Sequence, residues 1–142
     1  MTMNKPETRQ EARPILFHDI DGVIFGYYGP AGHLQPRPGL ADWVQWVHEH
    51  FTVIWFSVRR ETQVRELMQS LCLEKFGKVC VAQWNTYADK EPWLAVEVKK
   101  LNGRPWLWID DHIAVRAGWS SWDCLQRIAF MCARMGRMNL LN

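Results

Sequence analysis

Residues 15–24, Ile-Leu-Phe-His-Asp-Ile-Asp-Gly-Val-Ile, constrain this chain more than any other stretch. An apolar run the length of a buried strand stops at two carboxylates, Asp19 and Asp21, and Gly22 then lets the backbone turn away. Two like charges at a strand end cost stability unless a cation or a hydrogen-bond network compensates them, so the pair points to a metal or an acid/base role. A second run, Pro105-Trp106-Leu107-Trp108-Ile109, ends in Asp110 and Asp111. Two strands thus bring carboxylates to one edge of a sheet.

Such an edge needs a core behind it. With 142 residues, 48% of them hydrophobic, and nine Trp, the chain has enough apolar surface for one ordinary domain. The net charge of +2 and pI near 8.4 create no strong field, so charge alone implies neither nucleic acid nor a membrane surface. Cys72, Cys80, Cys124 and Cys132 form no CxxC pair and show no zinc-type spacing with the histidines, which favours reduced packing thiols. Residues 1–13 are polar and charged and read as a mobile tail, leaving a single folded domain over 14–142. No run approaches the roughly 18 apolar residues of a membrane span, and a cytoplasmic location is expected.

The remaining elements follow from period. The stretch from Phe25 to Gly39 (FGYYGPAGHLQPRPG), with four glycines and three prolines, is a loop or short hairpin placed either to cover the acid pair or simply to connect. Leu40, Trp43, Val44 and Val47 form the apolar stripe of a helix. Phe51–Phe56 is a second buried strand and runs into Ser57; Arg59–Leu71 is helical, with Val64, Leu67, Met68 and Leu71 on one face; Lys78–Trp84 is a third strand. Glu91–Leu101 is a helix with Lys90 at its entrance and Pro92 in its first turn, closed by Asn102-Gly103. The alternation predicts an α/β fold, a parallel sheet with helices on both faces in three Rossmann-like layers. Residues 124–135 have helical spacing, whereas 114–119 read as a loop or weak helix.

In a parallel sheet the strand ends lie on one edge, so Asp19, Asp21, Ser57, Lys90, Asp110 and Asp111 can converge. Carboxylate oxygens suit Mg²⁺ bound alongside a substrate phosphate, a hydroxyl and an ammonium can hold the remaining phosphate oxygens, and an Asp can act as a nucleophile. The ordered set Asp19-Ile20-Asp21-Gly22-Val23, Ser57, Lys90 and Asp110-Asp111 resembles the four motifs of the haloacid dehalogenase (HAD) superfamily of phosphohydrolases, over residues 15–112.

The resemblance implies a role for each residue. Asp19 would be the nucleophile and a Mg²⁺ ligand. Asp21 would protonate the leaving group, then activate water, its backbone carbonyl helping to hold the metal. Ser57 would hydrogen-bond a phosphoryl oxygen and Lys90 neutralise charge, with Gly22 completing the substrate-binding set. Asp110 and Asp111 would finish the metal site. Duller roles stand beside these: Asp21 as a turn cap, Ser57 as a helix N-cap, Lys90 in competition with Lys78, Lys99 and Lys100, and His18 and His112 as hydrogen-bonded neighbours. Trp55, Trp106 and Trp108 read as core, while Trp84, Trp119 and Trp122 could line a pocket.

One departure from commoner members of the family bears on substrate. About 14 residues separate the first motif from the first helix, and one helix and one strand occupy the stretch between Ser57 and Lys90, leaving no room for a cap domain. The resemblance then implies an uncapped Mg²⁺-dependent phosphatase acting through an aspartyl-phosphate, on a nucleotide or on a phosphate carried by a larger molecule such as a protein or a nucleic-acid end. Arg37, Arg59, Arg60 and Arg65 fall near the site edge and give the nucleic-acid version weak support. The alternative is a catalytically silent phosphate- or metal-binding module of the same fold.

Overall fold

The computed structural model describes residues 13–28, 33–84, 89–110 and 116–117. Its elements in chain order are β1 (Ile15–His18), β2 (Phe25–Tyr28), β3 (His33–Pro36), α1 (Leu40–His50), β4 (Thr52–Trp55), α2 (Glu61–Ser70), a 3-10 turn at Glu74–Phe76, α3 (Lys90–Lys99), β5 (Trp106–Ile109) and β6 (Arg116–Ala117).

All four residues of β1 are buried, as expected of a near-continuous apolar strand covered on both faces. It lies between β4 and β5, parallel to both, in a sheet of order β4-β1-β5-β6. Ile15 stands opposite Thr52 and Trp106, and His18 opposite Trp55 and Ile109, so the three parallel strands end level with one another. That register places Asp19, Asp110 and the Phe56-Ser57 step side by side.

The strand period of two sorts the core into two layers. Leu16, Val53, Trp55, Leu107 and Ile109 pack with Leu40, Trp43, Val44 and Val47 of α1 and Val64 and Met68 of α2. Ile15, Phe17, Phe56 and Trp108 pack with Trp93 and Leu94 of α3. Each of these large side chains contributes roughly 2 kcal/mol on burial. Helices therefore cover both faces of the sheet, as the alternation of elements predicts, and Trp55 and Trp108 are core, with Trp106 packed against it.

Helix ends follow local chemistry. Asp89 caps α3, its carboxylate accepting from the Lys90 amide at 2.7 Å, with Pro92 in the first turn. Beyond α3 the chain turns back through Asn102 (φ 52°) and Gly103 (φ 81°), both left-handed.

The structure departs from expectation in three places. The predicted third strand, Lys78–Trp84, narrows to one parallel bridge between Val81 and Trp55, with hydrogen bonds from the Trp55 amide to the Cys80 carbonyl and from the Ala82 amide to the Trp55 carbonyl. A two-residue strand, β6, pairs antiparallel with β5 where a loop or weak helix was expected. Arg13, placed in the tail, is held at both ends: its guanidinium donates to the His48 carbonyl, and its own carbonyl accepts from Arg104. The expected helix at 124–135 and the rest of the tail lie outside the described residues.

The stretch between β1 and α1 is a hairpin, one of the two forms the sequence allows. A single turn draws the amides of Val23, Ile24 and Phe25 onto the Ile20 carbonyl, with Gly22 at φ 80°, and β2 then pairs antiparallel with β3. Arg37, at the foot of the hairpin, is buried and donates to the carbonyls of Val23 and Gly22. Between Ser57 and Lys90 the described residues hold only α2, the 3-10 turn and the bridge segment, with no inserted domain. No helix among the described residues is long and apolar enough to cross a membrane. Cys72 and Cys80 are free thiols, Cys72 exposed rather than packed.

Candidate active site

The level ends of β1 and β5, with the first turn of α3 beside them, bring Asp19, Asp110 and Lys90 together below the surface. Asp19 is 5% exposed and Asp110 8%. The Lys90 ammonium lies between them, 2.7 Å from Asp110 Oδ2 and 3.3 Å from Asp19 Oδ1. It also sits over the Phe56 ring, 5.1 Å from its centroid, a cation–π contact inside the site. Lys90 reaches this position because Asp89 fixes the first turn of α3 beside the strand ends. Its competitors Lys78, Lys99 and Lys100 are exposed, and Lys100 pairs with Glu97.

Burial pushes the Asp19 carboxyl up to about 7; the nearby Lys90 ammonium opposes that rise, and Asp110 adds to it. The Ile20 amide donates to Asp19 Oδ1 at 2.8 Å and fixes one oxygen. One ammonium thus faces two buried carboxylates.

Ser57 is 2% exposed and stands at the end of β4. It is not the N-cap of α2, which begins at Glu61; its hydroxyl oxygen instead accepts from the Arg59 amide at 3.1 Å. Trp84, a pocket candidate from the sequence, donates its indole N–H to the Ser57 carbonyl at 2.8 Å and packs edge-on against Phe56. The position of Ser57 is thereby held from both its side chain and its backbone.

Asp21 leaves this cluster. Its carboxylate accepts two hydrogen bonds from Arg59, Nε to Oδ2 at 2.9 Å and the guanidinium NH2 to Oδ1 at 2.7 Å, at the partly exposed mouth of the site. The bond to Asp21 holds Arg59 still more firmly protonated. Arg59 also lies over the Phe25 ring, 5.7 Å from its centroid. Arg37 and Arg65, grouped with it in the sequence, do other work: Arg37 holds backbone carbonyls, and Arg65 engages Glu61 and the Val79 carbonyl.

His18 supports the site from behind. Trp43 Nε1, which can only donate, gives its proton to His18 Nε2 at 2.8 Å, so the proton of the neutral ring sits on Nδ1 and is donated to the Asp19 carbonyl at 2.6 Å. Burial lowers the imidazole pKa to about 4, which keeps this tautomer neutral.

The structure therefore gathers Asp19, Ser57, Lys90 and Asp110 at one edge, with Asp21 and Gly22 on the adjoining turn; Asp111 and His112 lie outside the described residues. The sequence places Arg59 near the site edge and Trp84 among the pocket candidates, but it does not reveal their partners, Asp21 and Ser57, nor Trp43 as the partner of His18. Arg59 stands two residues after Ser57, a spacing that hinted at proximity but not at its acid partner. Among the described residues no group of three or more His, Cys, Asp and Glu side chains is gathered to hold a metal ion, because Asp21 turns to Arg59 and only Asp19 and Asp110 share the buried cluster. No protein-family model matches the chain, and no curated protein matches it.

Proposed function

We propose that this chain is a Mg²⁺-dependent phosphomonoester hydrolase of the haloacid dehalogenase kind, acting through a phosphorylated Asp19. The observation that carries the reading is the Lys90 ammonium held between Asp19 and Asp110 at the level ends of β1 and β5. A carboxylate attacking a phosphate meets an anion with an anion, and a cation fixed beside the attacking oxygen removes much of that repulsion.

The donor set suits Mg²⁺. It consists of oxygens only, it carries two carboxylates for one ammonium, and burial already disfavours the charge on Asp19, so a second cation stabilises the cluster. Mg²⁺ commonly takes one or two carboxylates and completes its shell with water and substrate phosphate. Asp19 and Asp110 would hold it here, with the Asp21 backbone carbonyl and Asp111 as further candidates. When bound, the ion neutralises charge on the phosphoryl oxygens.

In this reading Asp19 attacks phosphorus, the Ser57 hydroxyl and the Lys90 ammonium hold phosphoryl oxygens, Gly22 lets the turn pass close to the substrate, and Asp21 handles the proton. The absence of an inserted domain between Ser57 and Lys90 in the described residues favours an open site, and with it a nucleotide or a phosphate on a protein or nucleic-acid end. The nucleic-acid version loses support from Arg37 and Arg65, whose guanidinium groups are engaged within the protein.

Phosphate release tests the reading, over a panel of phosphorylated metabolites, nucleotides, phosphopeptides and end-phosphorylated oligonucleotides, with Mg²⁺ or EDTA. The expected result is metal-dependent release that falls to background in Asp19→Asn. Equal background for both proteins across the panel returns the chain to the silent binding module.

A further inference from the structure

We propose that Arg59 is a positioning residue for Asp21, holding the carboxylate at the mouth of the site in the orientation from which it exchanges protons with leaving group and water. The inference rests on the phosphatase reading and adds to it a residue outside the four motifs.

Three observations place Arg59 in this role. Both Asp21 oxygens accept from one guanidinium, at 2.7 and 2.9 Å, so the fork fixes the plane of the carboxylate and not merely its distance. The guanidinium is itself restrained by the Phe25 ring, a buried residue at the foot of the hairpin. The Arg59 backbone amide donates to Ser57 Oγ, so one residue orients both the proton-handling acid and the hydroxyl assigned to the phosphoryl oxygens.

Without Arg59 the Asp21 carboxylate loses both hydrogen bonds that fix its plane.

The chemistry that needs this orientation balances in two steps. An Asp19 oxygen forms a bond to phosphorus as the bond from phosphorus to the ester oxygen breaks, and protonated Asp21 gives its proton to the departing alkoxide. The Asp21 carboxylate then takes a proton from water as the water oxygen bonds to phosphorus and the Asp19–phosphorus bond breaks, leaving inorganic phosphate and restoring both acids. A misdirected Asp21 slows both steps while leaving phosphate binding at Lys90 and Ser57 in place.

The test is steady-state and burst kinetics on an aryl phosphate with Mg²⁺, using the full chain. The proteins are wild type, Arg59→Ala, Arg59→Lys, Asp21→Asn and the Arg59→Ala/Asp21→Asn double variant. Arg59→Ala is expected to lower kcat by about a hundredfold, with KM little changed. Added guanidinium restores part of kcat in Arg59→Ala and none in Asp21→Asn. The double variant is no slower than Asp21→Asn alone, as two residues acting as a unit require.

An Arg59→Ala protein with wild-type kcat, or with a raised KM alone, overturns the proposal and leaves the phosphatase standing. An inactive wild type overturns both. Should Arg59→Ala fail to fold by circular dichroism, Arg59→Lys decides: it keeps the charge but lacks the fork, and wild-type kcat in it refutes the role.

Discussion

The Lys90 ammonium lies 2.7 Å from Asp110, with only 11% of the lysine side chain exposed, and Asp19 stands 3.3 Å away on its other side. Removing the lysine leaves buried acids uncompensated, whereas removing an acid with it relieves the strain. Lys90→Met is expected to lose about 3 kcal/mol of stability at about pH 8, and Lys90→Met/Asp110→Asn to recover part of that loss. Urea unfolding measures both. A Lys90→Met protein as stable as wild type would mean that the ammonium does not compensate these carboxylates.

His18 and Asp19 pull the pH dependence of stability in opposite directions. The imidazole falls from 6.5 to about 4 on folding, so the unfolded chain binds more protons in that interval. Its contribution is complete above about 6.5 and is lost toward about 4, amounting to about 3 kcal/mol at most. The Asp19 carboxyl rises from 3.8 to about 7, so the folded chain binds the extra proton. Its contribution is complete below 3.8 and is lost as pH rises through about 7. Between about pH 4 and 6.5 the two slopes oppose each other. In metal-free buffer, Asp19→Asn should therefore lose stability more steeply with acid than wild type does across that window. Identical slopes in the two proteins would refute the opposition.

Gly77 is required for space rather than for backbone conformation. Its φ of 170° is open to any residue, but a Cβ there would collide with the His48 ring at Nδ1. The His48 ring stands 6.4 Å from the buried Trp55, centroid to centroid. Gly77→Ala is expected to cost about 2 kcal/mol, and His48→Ala to remove most of that cost in the double variant. Thermal unfolding of the four-protein cycle checks it; additive losses would show that the ring yields freely.

How much of this could be read in the sequence depended on the range of each interaction. β1, β4 and β5 announce themselves as apolar runs, and α1 as a stripe at helical spacing, because burial dictates both patterns locally. The positions of Asp19, Asp110 and Ser57 followed, since each comes just after a buried run and the parallel register levels those runs. Lys90 was favoured over Lys78, Lys99 and Lys100 by its place at a helix entrance; the Asp89 cap, which fixes that entrance, could not be read from the spacing.

Longer-range pairings left no local trace. Arg59 meets Asp21 across 38 positions and Trp43 meets His18 across 25, and no period or spacing marks such partners. Lys78–Trp84 misled in the other direction. Its apolar residues resemble a strand, yet it hydrogen-bonds to β4 only around Trp55, so one bridge is all that forms. The two residues of β6 are too few to display alternation.

The Arg37 guanidinium ties the foot of the β2–β3 hairpin back to the turn that carries Asp21 and Gly22. Both ends of the hairpin are thereby anchored to one rigid point, with Phe25 sunk in the core beside it. A change elsewhere in the hairpin is therefore held away from Asp21 by the Arg37 hydrogen bonds. Under the phosphatase reading proposed above, substrate preference and bond-breaking chemistry would then occupy separable parts of the molecule, the hairpin free to vary while Asp19 and Asp21 keep their register.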